Sequence, residues 1–114
     1  MIAVIFEVIP NPHRTSEYFE HAAKLKSTLE AMDGFVSVER FESLTQPGKF
    51  LSLSFWRDEE AVKGWRNQTQ HRATQTAGRE HIFADYRLRV ASVVRDYGMF
   101  EREQAPADSQ DQHK

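Results

Sequence analysis

The fold of this chain is decided by the stretch at residues 55–72, which reads FWRDEEAVKGWRNQTQHR. Its first two residues are aromatic and end a strand-like run, and Asp58 then offers a good N-cap side chain for a helix. Glu59 and Glu60 would occupy the first helical turn, where the helix dipole favours negative charge. The stretch therefore predicts a sharp passage from a strand into a helix.

Trp65 and His71 are the two side chains of this helix most able to take part in binding or catalysis. Trp65 follows Ala61 and Val62 at helical spacing, so it either anchors the helix to a sheet or forms the wall of a pocket. His71 is either a solvated side chain or a group that transfers protons near neutral pH. The residues by themselves leave both alternatives open.

The composition predicts one small domain without cysteine chemistry. The chain has 114 residues, a net charge of -2 and eight Phe, which suit a single domain with a small core and no basic face for nucleic acid. Without cysteine there are no disulfides, thiolate nucleophiles or cysteine-ligated metals. No apolar run reaches membrane-spanning length, and no basic segment precedes the first apolar run. We therefore expect no membrane partner, no signal peptide and a cytoplasmic location.

The rest of the chain divides into segments with a period of two and segments with a helical period. The period of two predicts four strands, at residues 2–9, 35–44, 50–56 and 84–98. The helical period predicts two helices, at residues 16–32 and 58–77, which are followed by Gly34 and Gly78. Residues 101–114 contain no apolar residue larger than Ala or Pro. We therefore predict a domain over residues 1–100 and a disordered tail after it.

The element order β-α-β-β-α-β predicts an α+β fold of the ferredoxin-like type. In this fold, an antiparallel four-stranded sheet carries both helices on one face. The first and last strands are apolar on both sides, and no remaining segment supplies a second layer. A large uncovered apolar sheet is unusual in a monomer. We therefore expect a homodimer in which the two sheets meet face to face.

Two passages carry motifs of a known family. One is the strand GFVSVERF at residues 34–41, and the other is the strand-to-helix passage with Trp65, His71 and Gln75. With these motifs, residues 2–98 resemble the antibiotic biosynthesis monooxygenase family of dimeric α+β barrel proteins. The family includes quinone-forming monooxygenases, heme-degrading enzymes and members of unknown role, so the motifs specify the fold better than the reaction.

The resemblance implies a monooxygenase that acts on a small aromatic or polyketide-like substrate without a metal or flavin cofactor. Such a reaction needs an apolar cavity, an aromatic wall and a group that moves a proton. The candidate catalytic residues are Trp65 as the wall, His71 as the proton-transfer group and Glu7 as a base whose pKa burial would raise. The alternative for Glu7 is a solvated position at a sheet edge.

Gln75 and Arg89 are the candidate substrate-binding residues, and Arg89 would suit an acidic substrate. The alternative for Arg89 is a solvated position paired with Glu39 or Glu42. In heme-degrading relatives the axial histidine falls near Gln75, and an amide is a poor iron ligand, so we expect no tight heme binding. No histidine or carboxylate spacing predicts a metal site. A heme-binding or heme-degrading enzyme and a non-catalytic dimer that binds a small ligand remain the alternative functions.

Overall fold

The computed structural model describes residues 1–77 and 82–108, without the side chains of residues 69–77. Over these residues the elements follow the predicted order β-α-β-β-α-β, which confirms the ferredoxin-like fold. The strands are β1 (Ile2–Pro10), β2 (Phe35–Glu42), β3 (Phe50–Trp56) and β4 (Phe83–Ser92). The helices are α1 (Thr15–Glu30), which a 3-10 turn at Pro12–Arg14 precedes, and α2 (Glu59–Ala77). Gly78 and residues 109–114 lie outside the described residues.

The strands form one antiparallel sheet in the order β2-β3-β1-β4. β1 and β3 are the central strands, and β2 and β4 are the edges. Side chains that are directly opposite across two strands lie on the same face. The register of β1 with its two neighbours therefore determines which residues of all four strands share a face.

The two faces of the sheet have different coverings. Val4 and Val8 of β1 are buried in clusters that include residues of α1 and α2, so the even-numbered residues of β1 lie on the helix face. Glu7 and the other odd-numbered residues of β1 lie on the opposite side, which we call the outer face. This division follows from the alternation of side chains along a strand.

The helix-face core next to the start of α2 is built around Trp56. Its side chain is fully buried against Ile2, Leu29 and Val62. The indole Nε1 donates a hydrogen bond to the Ser54 hydroxyl at 3.0 Å, so this buried polar group is satisfied. The strand that leads into α2 is thereby fixed both by apolar burial and by a hydrogen bond.

Hydrogen bonds link the junction between β3 and α2 to the turn before β2. Asp58 caps α2 as predicted, because its Oδ1 accepts the Ala61 backbone N–H at 2.9 Å. Arg57 donates to Asp33 at 3.0 and 3.2 Å and to Asp58 at 2.9 Å. The Ala61 hydrogen bond and then the Arg57 guanidinium hold the pKa of Asp58 below its usual range, and Arg57 does the same for the pKa of Asp33.

Several predicted boundaries differ from the structure. The prediction of a last strand to residue 98 is wrong, because β4 pairs only with β1 and runs out of partners where β1 begins. The final link is the Val93 N–H, which donates to the Met1 carbonyl at 3.0 Å. Beyond it the Gly98 N–H donates to the Glu101 carbonyl at 2.8 Å, and Ala105 is buried. The division into a domain over residues 1–100 and a disordered tail stays a prediction.

We expect Gly34→Ala to destabilise the protein more than Gly48→Ala does. Both glycines have positive φ, 83° and 86°, which costs other residues about 1–2 kcal/mol. A Cβ on Gly34 would also lie 2.6 Å from the Ala61 Cβ, whereas a Cβ on Gly48 meets nothing within 4 Å. The crowding should add roughly 1–3 kcal/mol to the loss at Gly34.

The measurement is the free energy of unfolding from urea titrations of the two variants and the parent. Gly48→Ala is the matched control, since it isolates the cost of the backbone conformation. Equal losses in the two variants would contradict the close packing of Gly34 on the start of α2.

Candidate functional site

A gap in the covering of the helix face marks the candidate site. On β1 and β3 the flanking positions of this face are buried, with relative exposures of 2% for Val4, 0% for Val8 and 7% for Ser54. Phe6 and Ser52 lie between them on the same central strands but are only half-buried. Among the described residues, the middle of the sheet is thus less covered than the positions on either side of it.

The floor of this gap is one row of side chains that crosses all four strands. The register places Arg40 opposite Ser52, Ser52 opposite Phe6, and Phe6 opposite Leu88. Leu88 is on the edge strand β4 and is 46% exposed. We call the space above this row the central groove. It is apolar at its β4 end and polar at its β2 end.

Trp65 lies on the helix face, on the Val4 side of this row, and is half-buried. Its ring packs on Trp56 at a centroid distance of 5.8 Å and belongs to the cluster that contains Val4. Unlike the Trp56 indole, the Trp65 indole N–H has no hydrogen-bond acceptor among the described parts of the chain. Trp65 thus offers both an aromatic surface and a donor that no described residue uses, and its role as a pocket wall stays a prediction.

An aromatic cluster forms the opposite side of the groove. The Phe6 ring lies 5.6 Å from Tyr86 and 5.9 Å from Phe83, measured between centroids. Tyr18 of α1 is packed beneath it, 6.0 Å from Phe83 and 6.1 Å from Phe50. Flat rings on this side and an indole on the other suit a planar apolar ligand.

The polar end of the groove holds a pair that sequence reasoning missed. Arg40 Nε donates to the Tyr18 hydroxyl at 3.0 Å, and the guanidinium carbon lies 5.5 Å from the Tyr18 ring centroid. Tyr18 lies in the segment predicted as the first helix, and Arg40 lies in the segment predicted as the second strand. Their sequence positions carried no signal of the pair, which depends on how α1 packs against β2.

Glu7 and Arg89 lie on the outer face, away from Trp65. Arg89 Nη1 donates to Glu7 Oε2 at 2.6 Å, and Lys49 Nζ lies 3.6 Å from Glu7 Oε1. The hydrogen bond from Arg89, followed by the charge of Lys49, holds the pKa of Glu7 below its usual value. The expectation of a raised pKa is therefore wrong. The predicted pairing of Arg89 with Glu39 or Glu42 is wrong as well, because β4 neighbours β1 and not β2.

The structure therefore does not bring the predicted site residues together within one chain. Trp65 packs on the helix face, on the Val4 side of the groove, whereas Glu7 and Arg89 form an ion pair on the other side of the sheet. His71 and Gln75 belong to α2, and their side chains lie outside the described residues. The roles predicted for these two residues stay predictions.

Other parts of the described chain are weaker candidates for a functional site. A shallow depression beside the start of α2 is lined by Met1, Arg57 and Lys63 among others, but Arg57 is already held by two carboxylates. No group of three His, Cys, Asp or Glu side chains suited to a metal ion occurs in the described residues. No described helix is both long enough and apolar enough to cross a membrane.

The relatives of this chain include two proteins whose sequences match most of its length. The jasmonate monooxygenase ABM of Pyricularia oryzae is 44% identical over 94 residues, which span 82% of this chain and 44% of that protein. This chain thus covers less than half the length of that relative. The uncharacterized protein YqjZ of Bacillus subtilis is 32% identical over 93 residues, which span 82% of this chain and 79% of that protein.

Solved structures with the same fold include that of the heme-degrader MhuD from Mycobacterium tuberculosis with two hemes bound in its active site. It superposes with a TM-score of 0.65 at 19% identity, and the match covers 86% of this chain and all of that one. At this identity the likeness concerns the fold alone. The model of the antibiotic biosynthesis monooxygenase family matches residues 1–77, which include both predicted motifs up to Gln75. This chain therefore belongs to the antibiotic biosynthesis monooxygenase family.

Proposed function

We propose that this protein is a monooxygenase that binds a small aromatic or polyketide-like substrate in the central groove and needs neither metal nor flavin. The observation that carries the proposal is Trp65, which combines a half-buried ring with an indole N–H that no described residue accepts. An indole in this position suits the aromatic face of a ligand and can donate to one of its oxygens. Family membership supports an oxygenase over other uses of such a groove.

The proposed reaction takes its electrons from the substrate. A phenol or a similarly acidic substrate loses a proton, and the resulting electron-rich anion reacts with O2. One oxygen atom enters the substrate and the other leaves as water. The protein then has to bind the flat substrate, limit its contact with water and move the proton.

His71 is our candidate for the proton-transfer group, because an imidazole changes charge near neutral pH. Glu7 is not a candidate for this role, because Arg89 and Lys49 hold its carboxylate ionised on the outer face. The relative named jasmonate monooxygenase makes jasmonate a reasonable member of the substrate panel. The cytoplasmic location inferred from the sequence stays a prediction.

We further propose that the protein works as a homodimer joined through the outer faces. The outer-face apolar side chains of the sheet include Ile5, Leu51, Leu53, Phe55 and Phe41. More exposed apolar residues follow β4, namely Val94, Tyr97, Met99 and Phe100. The Cα radius of gyration is 16.8 Å, against about 13 Å for a compact domain of this length. A second copy covering this surface would remove the apolar area from water.

Trp65→Phe should weaken binding and oxygen consumption with little loss of stability. Phe keeps an aromatic surface but cannot donate, and the loss of one such hydrogen bond corresponds to about 1 kcal/mol, or roughly fivefold in affinity. Trp56→Phe is the matched control, because that indole is fully buried and bound to Ser54. It should lower stability by a few kcal/mol.

The measurements are oxygen uptake and ligand-induced fluorescence changes with a panel of polycyclic phenols and jasmonate, alongside urea unfolding. The proposal fails if Trp65→Phe costs several kcal/mol of stability and leaves binding unchanged, because the indole would then only be part of the core.

Titration of the purified protein with hemin tests the alternative that it binds heme. We expect no stoichiometric complex, because the family's axial-ligand position falls near Gln75 and an amide is a poor iron ligand. A sharp, shifted Soret band that disappears in His71→Ala would instead favour heme binding.

Sedimentation equilibrium at micromolar concentration should give twice the chain mass of 13.3 kDa. Leu53→Asp should produce monomers, because it places an unpaired charge in the proposed interface. Leu44→Asp is the control, since Leu44 is 99% exposed in the loop between β2 and β3. A monomeric parent protein that binds no hydrophobic dye would rule out the dimer.

A further inference from the structure

The Tyr18–Arg40 pair differs from the contacts of Arg57 and Arg89 because no carboxylate neutralises it. Arg89 is bound to Glu7, and Arg57 to two aspartates. The nearest candidate on the same face of β2 is Glu42, but its Oε2 accepts the Gly48 backbone N–H at 3.2 Å. Within the described residues, the Arg40 charge is therefore free to meet a ligand.

Arg40 and Tyr18 both have hydrogen-bond donors that no described residue uses. A guanidinium carries five N–H groups, and in the described structure only Nε of Arg40 is engaged, by the Tyr18 oxygen at 3.0 Å. Because that oxygen accepts from Arg40, the phenolic proton of Tyr18 is left to donate elsewhere. No described residue accepts it. One phenol O–H and the outer guanidinium N–H groups are therefore offered at the same place.

The position of Tyr18 is firmly determined by its surroundings. Its side chain is 5% exposed, and its ring lies 5.3 Å from Phe19 and 6.1 Å from Phe50. A donor held in place by packing loses little conformational entropy when it binds a ligand. Arg40 is more exposed, and its bond to the Tyr18 oxygen restricts where its charge can lie.

The register joins this pair to the apolar part of the groove. Arg40, Ser52, Phe6 and Leu88 follow one another across the four strands, and Ser52 is small enough to leave the passage open. Three strand spacings of about 4.8 Å separate the two ends, or roughly 14 Å. A ligand of two or three fused rings with one polar group at its end fits such a span.

We propose that Arg40 and Tyr18 bind an anionic oxygen of the substrate, a carboxylate or a phenolate, while its apolar body lies on Phe6 and Leu88. The substrate class is thus an apolar organic acid. This inference rests on the proposed function, because it assigns the polar end of the same groove. It also moves acid recognition from Arg89, where the sequence had suggested it, to an arginine on the opposite face.

The test compares 2-naphthoate with 2-naphthamide, which share a ring system and differ in charge. Calorimetric titration of the full-length protein should show the acid binding about tenfold more tightly, the scale of one hydrogen bond to a charged group. Arg40→Gln should abolish this preference and leave the amide unaffected. Tyr18→Phe keeps the buried ring and should reduce the preference in part.

Two controls distinguish the loss of this contact from a general change in charge or a loss of folding. Arg66→Gln removes the same charge from an exposed position on α2 and should leave the preference unchanged. Circular dichroism checks that each variant is folded. If Arg40→Gln does not fold, the loss of preference is tested with Tyr18→Phe alone.

The possible failures are distinguishable. If both probes bind the parent protein equally and Trp65→Phe weakens both, the inference is overturned and the proposed function stands. If the preference for the acid survives Arg40→Gln, or is lost in Arg89→Gln instead, the inference is also overturned. If the folded parent protein binds neither probe, both the inference and the groove as a substrate site are overturned.

Discussion

The pairing of β1 with β3 on one side and β4 on the other is the constraint on which the rest of this structure depends. It places Val4 between Ser54 and Val90, and Glu7 between Leu51 and Arg87. Because side chains alternate between the faces of a strand, a slip of one residue would exchange the two sets. Glu7 would then lie under the helices without its cations. The cost of burying that charge disfavours every such slip.

The same register explains why the middle of the helix face is open. Buried residues on β1 and β3 lie on either side of Phe6 and Ser52, and the serine is too small to fill the space above it. The two helices are attached near the ends of the sheet, through the Trp56 cluster at one end and Tyr18 at the other. A groove between two fixed ends keeps its shape without its own residues being close-packed, which suits a ligand-binding site.

The charged residues contribute to different properties of the molecule. Arg57 links the start of α2 to the turn before β2, and its charge is neutralised by Asp33 and Asp58. Arg89 neutralises the charge that β1 carries on its outer face. Arg40 makes no ion pair within the described residues and instead donates to a buried hydroxyl. Arg57 thus contributes to the fold, whereas Arg89 lies on the proposed dimer face and Arg40 in the proposed ligand site.

The sequence by itself determined the element order, the N-cap of α2 and the two faces of β1, because these depend on local periodicity and on single capping residues such as Asp58. The tertiary structure alone decided the strand order, and with it the length of β4 and the partner of Arg89. It also placed Glu7 away from Trp65 and brought Tyr18 to Arg40, 22 residues later. These relations come from the packing of distant segments, which no spacing along the chain encodes.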